Sequence, residues 1–214
     1  MRFLHTGDWH LGRTIRQQSR MDECARVLDQ VAGIAKERKV DIVVIAGDTF
    51  DTFSPSAEAD SLLYETLGRL LADGAKVVMI AGNHDHAPRM DALSGILQMV
   101  GVHSIGSVPG EKAASRITVA SRDGSEAATI VALPWVPERY ALEFEMLGKI
   151  EDAKNRYRSV LEHLVKSSCT GFPADTVNLF VGHMLIDGVS IGEGSSERKL
   201  HIGQAFAVNA DAAA

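Results

Sequence analysis

Cysteine is nearly absent: only Cys24 and Cys169 occur in 214 residues, far apart in the chain. That excludes a disulfide framework and a thiolate metal site, and it fits a reducing, cytoplasmic compartment. Long apolar runs are absent too. Nothing approaches the stretch of about 18 residues that spans a bilayer, so no membrane association is expected. The opening segment MRFLHTGDWH turns polar after four residues and carries no signal-peptide core. A basic excess is also missing. Lys and Arg number 22 against 28 Asp and Glu, a net charge of −6, so any nucleic-acid role needs local basic groups or cations to meet phosphates.

What is present is a rhythm. RFLHTG, DIVVIAG and KVVMIAG read as strands, each apolar and each ending in glycine. Apolar residues at helical spacing follow: Cys24, Val27, Leu28, Val31 and Ile34 predict a helix over roughly Arg16 to Arg38. Ser54 and Pro55 read as N-cap and first position of a second helix, and Gly101 closes a third. This βαβαβα order predicts a parallel sheet with helices on its faces. Later the pattern changes. SRITVAS and ATIVALPW read as a hairpin across residues 122–125, residues 138–166 as largely helical, DTVNLFVGHM as another buried strand, and KLHIGQAFAV as an edge strand.

Four strands end alike, in Gly7-Asp8-Trp9-His10, Gly47-Asp48-Thr49-Phe50-Asp51, Gly82-Asn83-His84-Asp85 and Gly182-His183. In an open α/β sheet, ligands bind beyond the carboxyl ends of the strands, so all four clusters are expected on one rim. Asp, His and Asn offer oxygen and imidazole donors without thiolate, which suits manganese, iron, zinc or magnesium. Asp8 and His10 lie two apart and share a face of an extended chain. A carboxylate such as Asp48 can bridge two cations, and two metals about 3.5–4 Å apart form a clamp for displacement at phosphorus. Asp8, His10, Asp48, Asn83 and His183 thus read as most of a two-metal site. Each cluster alone is weak, because a strand-end Asp is usually a cap or turn residue. Four in order, each after a strand, outweigh that reading.

In this order, Asp-x-His, Gly-Asp-x-x-Asp, Gly-Asn-His-Asp and Gly-His resemble the calcineurin-like metallophosphoesterase superfamily. The contexts HTGDWHLGRTI, AGDTFDTFSPS, LPWVPER and SSERKLHIG are closest to its bacterial DNA-nuclease branch. The resemblance covers nearly the whole chain and implies an α/β fold, a four-layer αββα sandwich. It implies a two-metal phosphodiesterase with manganese in the site. Asp8 and His10 would bind the first metal, Asn83 and His183 the second, and Asp48 would bridge. His84 would contact the scissile phosphate, oriented by Asp51, while Asp85 would hold the loop. Partners implied are DNA, an ATPase subunit, and a second copy of the chain through helices near 57–72 and 89–100. Arg13, Arg16, Arg89 and Arg198 are candidate phosphate contacts.

The superfamily pattern ends in Gly-His-x-His, which this sequence does not contain. The expectation is therefore a domain over 1–208 lacking its last motif, C-terminally incomplete, with an unassigned tail at 209–214. The capping domain and ATPase-binding segment would lie elsewhere, and the chain as it stands would be weakly active or inactive. Two rival readings stay open: a small-molecule or protein phosphatase on the same metals, and a non-catalytic DNA-binding or dimerisation module.

Overall fold

The computed structural model describes residues 1–108, 114–138, 140, 153–187 and 208–209. In chain order the elements are β1 (Phe3–Thr6), β2 (Thr14–Ile15), β3 (Gln18–Ser19), α1 (Met21–Glu37), β4 (Ile42–Ala46), α2 (Ala57–Ala72), β5 (Lys76–Ile80) and α3 (Ala87–Met99). After them come β6 (Val102–Ile105), β7 (Ser115–Ala120), β8 (Ala127–Leu133), α4 (Ala153–Cys169), β9 (Val177–Gly182), β10 (Ile186–Asp187) and β11 (Val208–Asn209). The expected edge strand at 199–208 lies almost wholly outside the described residues, as does the 141–152 part of the expected helix.

Strands β1, β4, β5 and β6 form a parallel sheet in that spatial order. Each strand is added beside the last, so crossovers of one hand place the intervening helices on one face. Val43, Ile45, Val77 and Met79 point to that face and pack against Leu28, Leu63, Leu67 and Met90 of the helices. The alternate residues Ile42, Val44, Val78 and Ile80 leave a second apolar face, because successive side chains of a strand point opposite ways. A second sheet covers it. In order β7-β8-β9, with β7 antiparallel and β9 parallel to β8, it contributes Val119, Ala128, Ile130, Ala132 and Val181 to the shared core. Its outer face, through Val131 and Leu133, packs on Tyr157, Leu161 and Leu164 of α4. The layers are therefore α, β, β, α. Each fully buried Val, Leu or Ile contributes about 1.5–3 kcal/mol, which is why both sheets need covering on both faces.

Two local expectations are corrected. The expected helix start at Arg16 is instead a hairpin, in which Thr14 pairs with Ser19 and Ile15 with Gln18. Arg16 and Gln17 form its turn at φ 50° and 65°, the left-handed geometry that a two-residue hairpin demands. Helix α2 is capped by Ser56, whose hydroxyl accepts the Ala59 N–H at 3.2 Å, rather than by Ser54. His86 caps α3: its Nδ1 accepts the Arg89 N–H at 3.1 Å. At the far end of the sheets, the Asp41 carboxylate accepts N–H groups of Arg2 at 2.6 Å and Arg122 at 2.9 Å, tying the first sheet to the β7–β8 turn.

Candidate metal centre

The loops after β1 and β4 leave the sheet side by side. The Asp8 N–H donates to the Gly47 carbonyl, that of His10 to Asp48, and that of Leu11 to Thr49, each at 3.0 Å. This lattice brings Asp8, His10 and Asp48 together with φ of 52°, 45° and 48°. Non-glycine residues rarely adopt that geometry, and where it persists the surroundings over-determine it. Across the sandwich, the Trp135 N–H donates to Ala81 at 2.8 Å, and within the second sheet the His183 N–H donates to Leu133 at 3.2 Å, so the second sheet delivers His183 to the same rim. Two glycines make the approach possible. A Cβ on Gly82 would overlap the Asp48 carboxylate, and one on Gly47 would overlap the His183 ring.

Asp48 sits at the middle. The residue is buried, at 3% exposure, with Oδ2 3.7 Å from His10 Nε2 and Oδ1 3.7 Å from His183 Nε2. Asp8 Oδ1 lies 3.9 Å from His10 Nε2, and Asn83 Oδ1 lies 3.2 Å from His183 Nε2. Among the described residues, two groups have ligand atoms within 4.8 Å of one another: His10, Asp48 and His84, and Asp8, Asp48 and His183. Asp48 is common to both. The structure thus brings all five expected ligand residues to one rim, and it adds His84 beside His10, with ring centroids 4.9 Å apart.

These residues fit a pair of divalent cations. His183 Nδ1 lies 2.8 Å from the Ala46 carbonyl, which can only accept, so the hydrogen sits on Nδ1 and the Nε2 lone pair faces the rim. There it meets Asn83 Oδ1 and the Asp48 carboxylate. Imidazole, amide and carboxylate acceptors converging in this way form a cation site. His10 Nδ1 is buried and makes no hydrogen bond, although Asp51 Oδ1 lies 3.2 Å away outside hydrogen-bond alignment.

Asp51 departs from expectation. Its carboxylate faces His10, and its main-chain oxygen meets His84 Nδ1 at 2.9 Å. Asp85, also 3% exposed, accepts N–H groups from Phe50 on Oδ1 at 2.9 Å, and from Thr49 at 3.1 Å and Gly82 at 2.9 Å on Oδ2. Burial pushes its carboxyl above the ordinary value, with the three N–H groups opposing. Arg13 and Arg16 are exposed, and the Arg13 N–H donates to the His10 carbonyl at 3.0 Å. Arg89 is engaged internally, with Nη2 2.6 Å from Asp60 Oδ2 and its guanidinium 5.8 Å from the Phe50 ring centre, so it does not present a bare cation to a phosphate. Arg198 lies outside the described residues. Trp9 packs under the site with its indole N–H on Thr6 Oγ1 at 2.8 Å.

A parallel sheet ending in a shared carboxylate between two His/Asp groups defines a metal-dependent phosphoesterase. The calcineurin-like phosphoesterase family matches residues 1–198, and the chain belongs to that family. Among its relatives are proteins named as the SbcD subunit of the SbcCD nuclease. The Bacillus subtilis protein is 35% identical over 99% of this chain and 53% of its own length. The Rhodobacter capsulatus protein is 32% identical over 99% and 54%, and the Staphylococcus saprophyticus protein 31% over 98% and 52%. The chain spans about half the length of these relatives. No helix among the described residues is long and apolar enough to cross a membrane.

Proposed function

We propose that residues 1–208 are the nuclease domain of an SbcD-type subunit, hydrolysing DNA phosphodiesters in double-strand-break repair and recombination. The observation that carries this reading is Asp48 lying 3.7 Å from both His10 and His183 through different oxygens. Two divalent cations, manganese by resemblance, would supply Lewis-acid activation of phosphate oxygens and of water when bound. Asp8 and His10 would hold one of them, Asn83 and His183 the other, and Asp48, common to both groups, would serve both. His84 has Nδ1 held by the Asp51 carbonyl, which leaves Nε2 to exchange a proton with a substrate oxygen. Arg13 and Arg16 on the β2–β3 hairpin side contact backbone phosphates, which position DNA without reading sequence. The relatives' shared name supports an SbcC-type ATPase partner. A homodimer through α2 and α3 is supported by exposed Tyr64, Ile96, Met99 and Val100 on those helices and the residue after them.

The deciding experiment compares turnover of duplex DNA ends with that of p-nitrophenyl phosphate in manganese. Cleavage of DNA is expected. Hydrolysis of the small ester alone would replace the nuclease reading with a phosphatase.

A further inference from the structure

The pairing of β4 with β5 stops at Ala46 and Ile80, before either strand reaches its candidate metal ligands. Beyond that point the two loops are joined by side chains. The Asp85 carboxylate, on the β5 loop, accepts the N–H groups of Thr49 and Phe50 on the β4 loop and of Gly82 on its own. In return, Asp48 Oδ1 on the β4 loop accepts the His84 N–H on the β5 loop at 2.9 Å. The two carboxylates therefore clasp each other's backbones. The donors flank the candidate ligands directly: Thr49 and Phe50 follow Asp48, and Gly82 precedes Asn83.

We infer that Asp85 is a positioning residue that sets the spacing of Asp48 against Asn83 and His84, and so the affinity for a metal pair. The inference rests on the metal-centre reading above. Asp85 belongs to neither group of prospective ligands, and each of its oxygens already faces a backbone donor. It acts through its neighbours, as groups that orient metal ligands do elsewhere, where their loss typically lowers metal affinity about 10- to 100-fold.

Asp85→Asn preserves shape but turns an amide nitrogen towards partners that are all N–H donors. Asp85→Glu keeps charge and both acceptor oxygens but is the larger misfit. A packing role ranks Asn above Glu, and an acceptor role ranks Glu above Asn. Asp41→Asn is the control, since Asp41 fastens two N–H groups at the opposite end of the sheets. The readouts are manganese affinity by calorimetry, the spin-coupled manganese signal by EPR, and amide exchange at Thr49, Phe50 and Gly82 without metal. We expect D85N to lose about 10- to 100-fold in manganese affinity, with the coupled signal weakened and the three amides exchanging faster. D85E should fall between D85N and wild type, and D41N should match wild type in all three. Should D85N not fold, D85E against wild type and D41N carries the comparison. Wild-type affinity in D85E and D85N, Asn binding better than Glu, or an equal loss in D41N overturns the inference. A wild-type protein that holds no manganese pair overturns the metal-centre reading, and this inference with it.

Discussion

His183 Nδ1, beyond the end of β9 in the second sheet, lies 2.8 Å from the carbonyl of Ala46, at the end of β4 in the first. This hydrogen bond spans the sandwich and fixes which imidazole nitrogen faces the rim. Gly47 follows Ala46 directly, at φ 97°, and a Cβ there would lie 2.7 Å from His183 Cγ and overlap Nδ1. Gly47→Ala is therefore expected to push His183 off the carbonyl. Manganese content should fall from two per chain towards one, with turnover reduced about 10- to 100-fold. Metal analysis of the purified variant checks this, and two retained ions would show that His183 is not a ligand.

His84 and Asp51 can be separated by mutation. His84→Ala should keep both metals and lower kcat about 10²- to 10⁴-fold, the usual contribution of a positioned proton donor. Asp51→Asn should act on metal affinity instead, because the carboxylate faces His10 while the main-chain oxygen holding His84 survives the change. Parallel metal titration and kinetics distinguish the two variants. Metal loss in the His84 variant would make that residue a ligand, as its place beside His10 and Asp48 allows.

The strand ends carried most of the site in the sequence, because Gly-Asp, Gly-Asn-His-Asp and Gly-His each mark a chain leaving a buried strand. The alternation within VVI and VVMI did not reveal that the second face is covered by a sheet rather than by helices. A strand buried on both sides reads the same whichever layer covers it. The Thr14–Ser19 hairpin escaped notice because its turn is Arg16-Gln17, without the Asn-Gly signal of such turns. The direction of the Asp51 carboxylate was equally hidden, since spacing places a residue on a loop and not its side chain. His86 carried a faint signal, a polar residue two before Pro88 at a helix start.

The apolar residues of α2 and α3 divide by exposure. Leu63, Leu67 and Leu70 are buried in the core, whereas Ile96, Met99 and Val100 are 68%, 87% and 57% exposed. The second group, with Tyr64 of α2 at 40% exposure, can serve a second copy of the chain; the buried leucines cannot. Ile96→Glu with Met99→Glu should convert a dimer to a monomer in sedimentation without lowering thermal stability of the fold, because neither residue is buried. Leu67→Ala should instead destabilise by about 2–5 kcal/mol through cavity formation. A double variant that still sediments as a dimer would place the contact elsewhere.

Asp41 gives a pH test away from the metal centre. Burial alone would raise its carboxyl, but the N–H groups of Arg122 and Arg2 outweigh it and hold the carboxyl below its ordinary value. A carboxyl with a lower pKa folded than unfolded stabilises the fold above the unfolded value, near pH 4, and that contribution is lost as pH falls through the folded value. Asp41→Asn should therefore be less stable than wild type at pH 7, and the gap should narrow below about pH 4. Urea unfolding of both proteins at pH 7, 5 and 3 measures it. A gap that stays constant across that range would mean that the Asp41 charge does not stabilise the junction between the first sheet and the β7–β8 turn, and that its hydrogen bonds act without it.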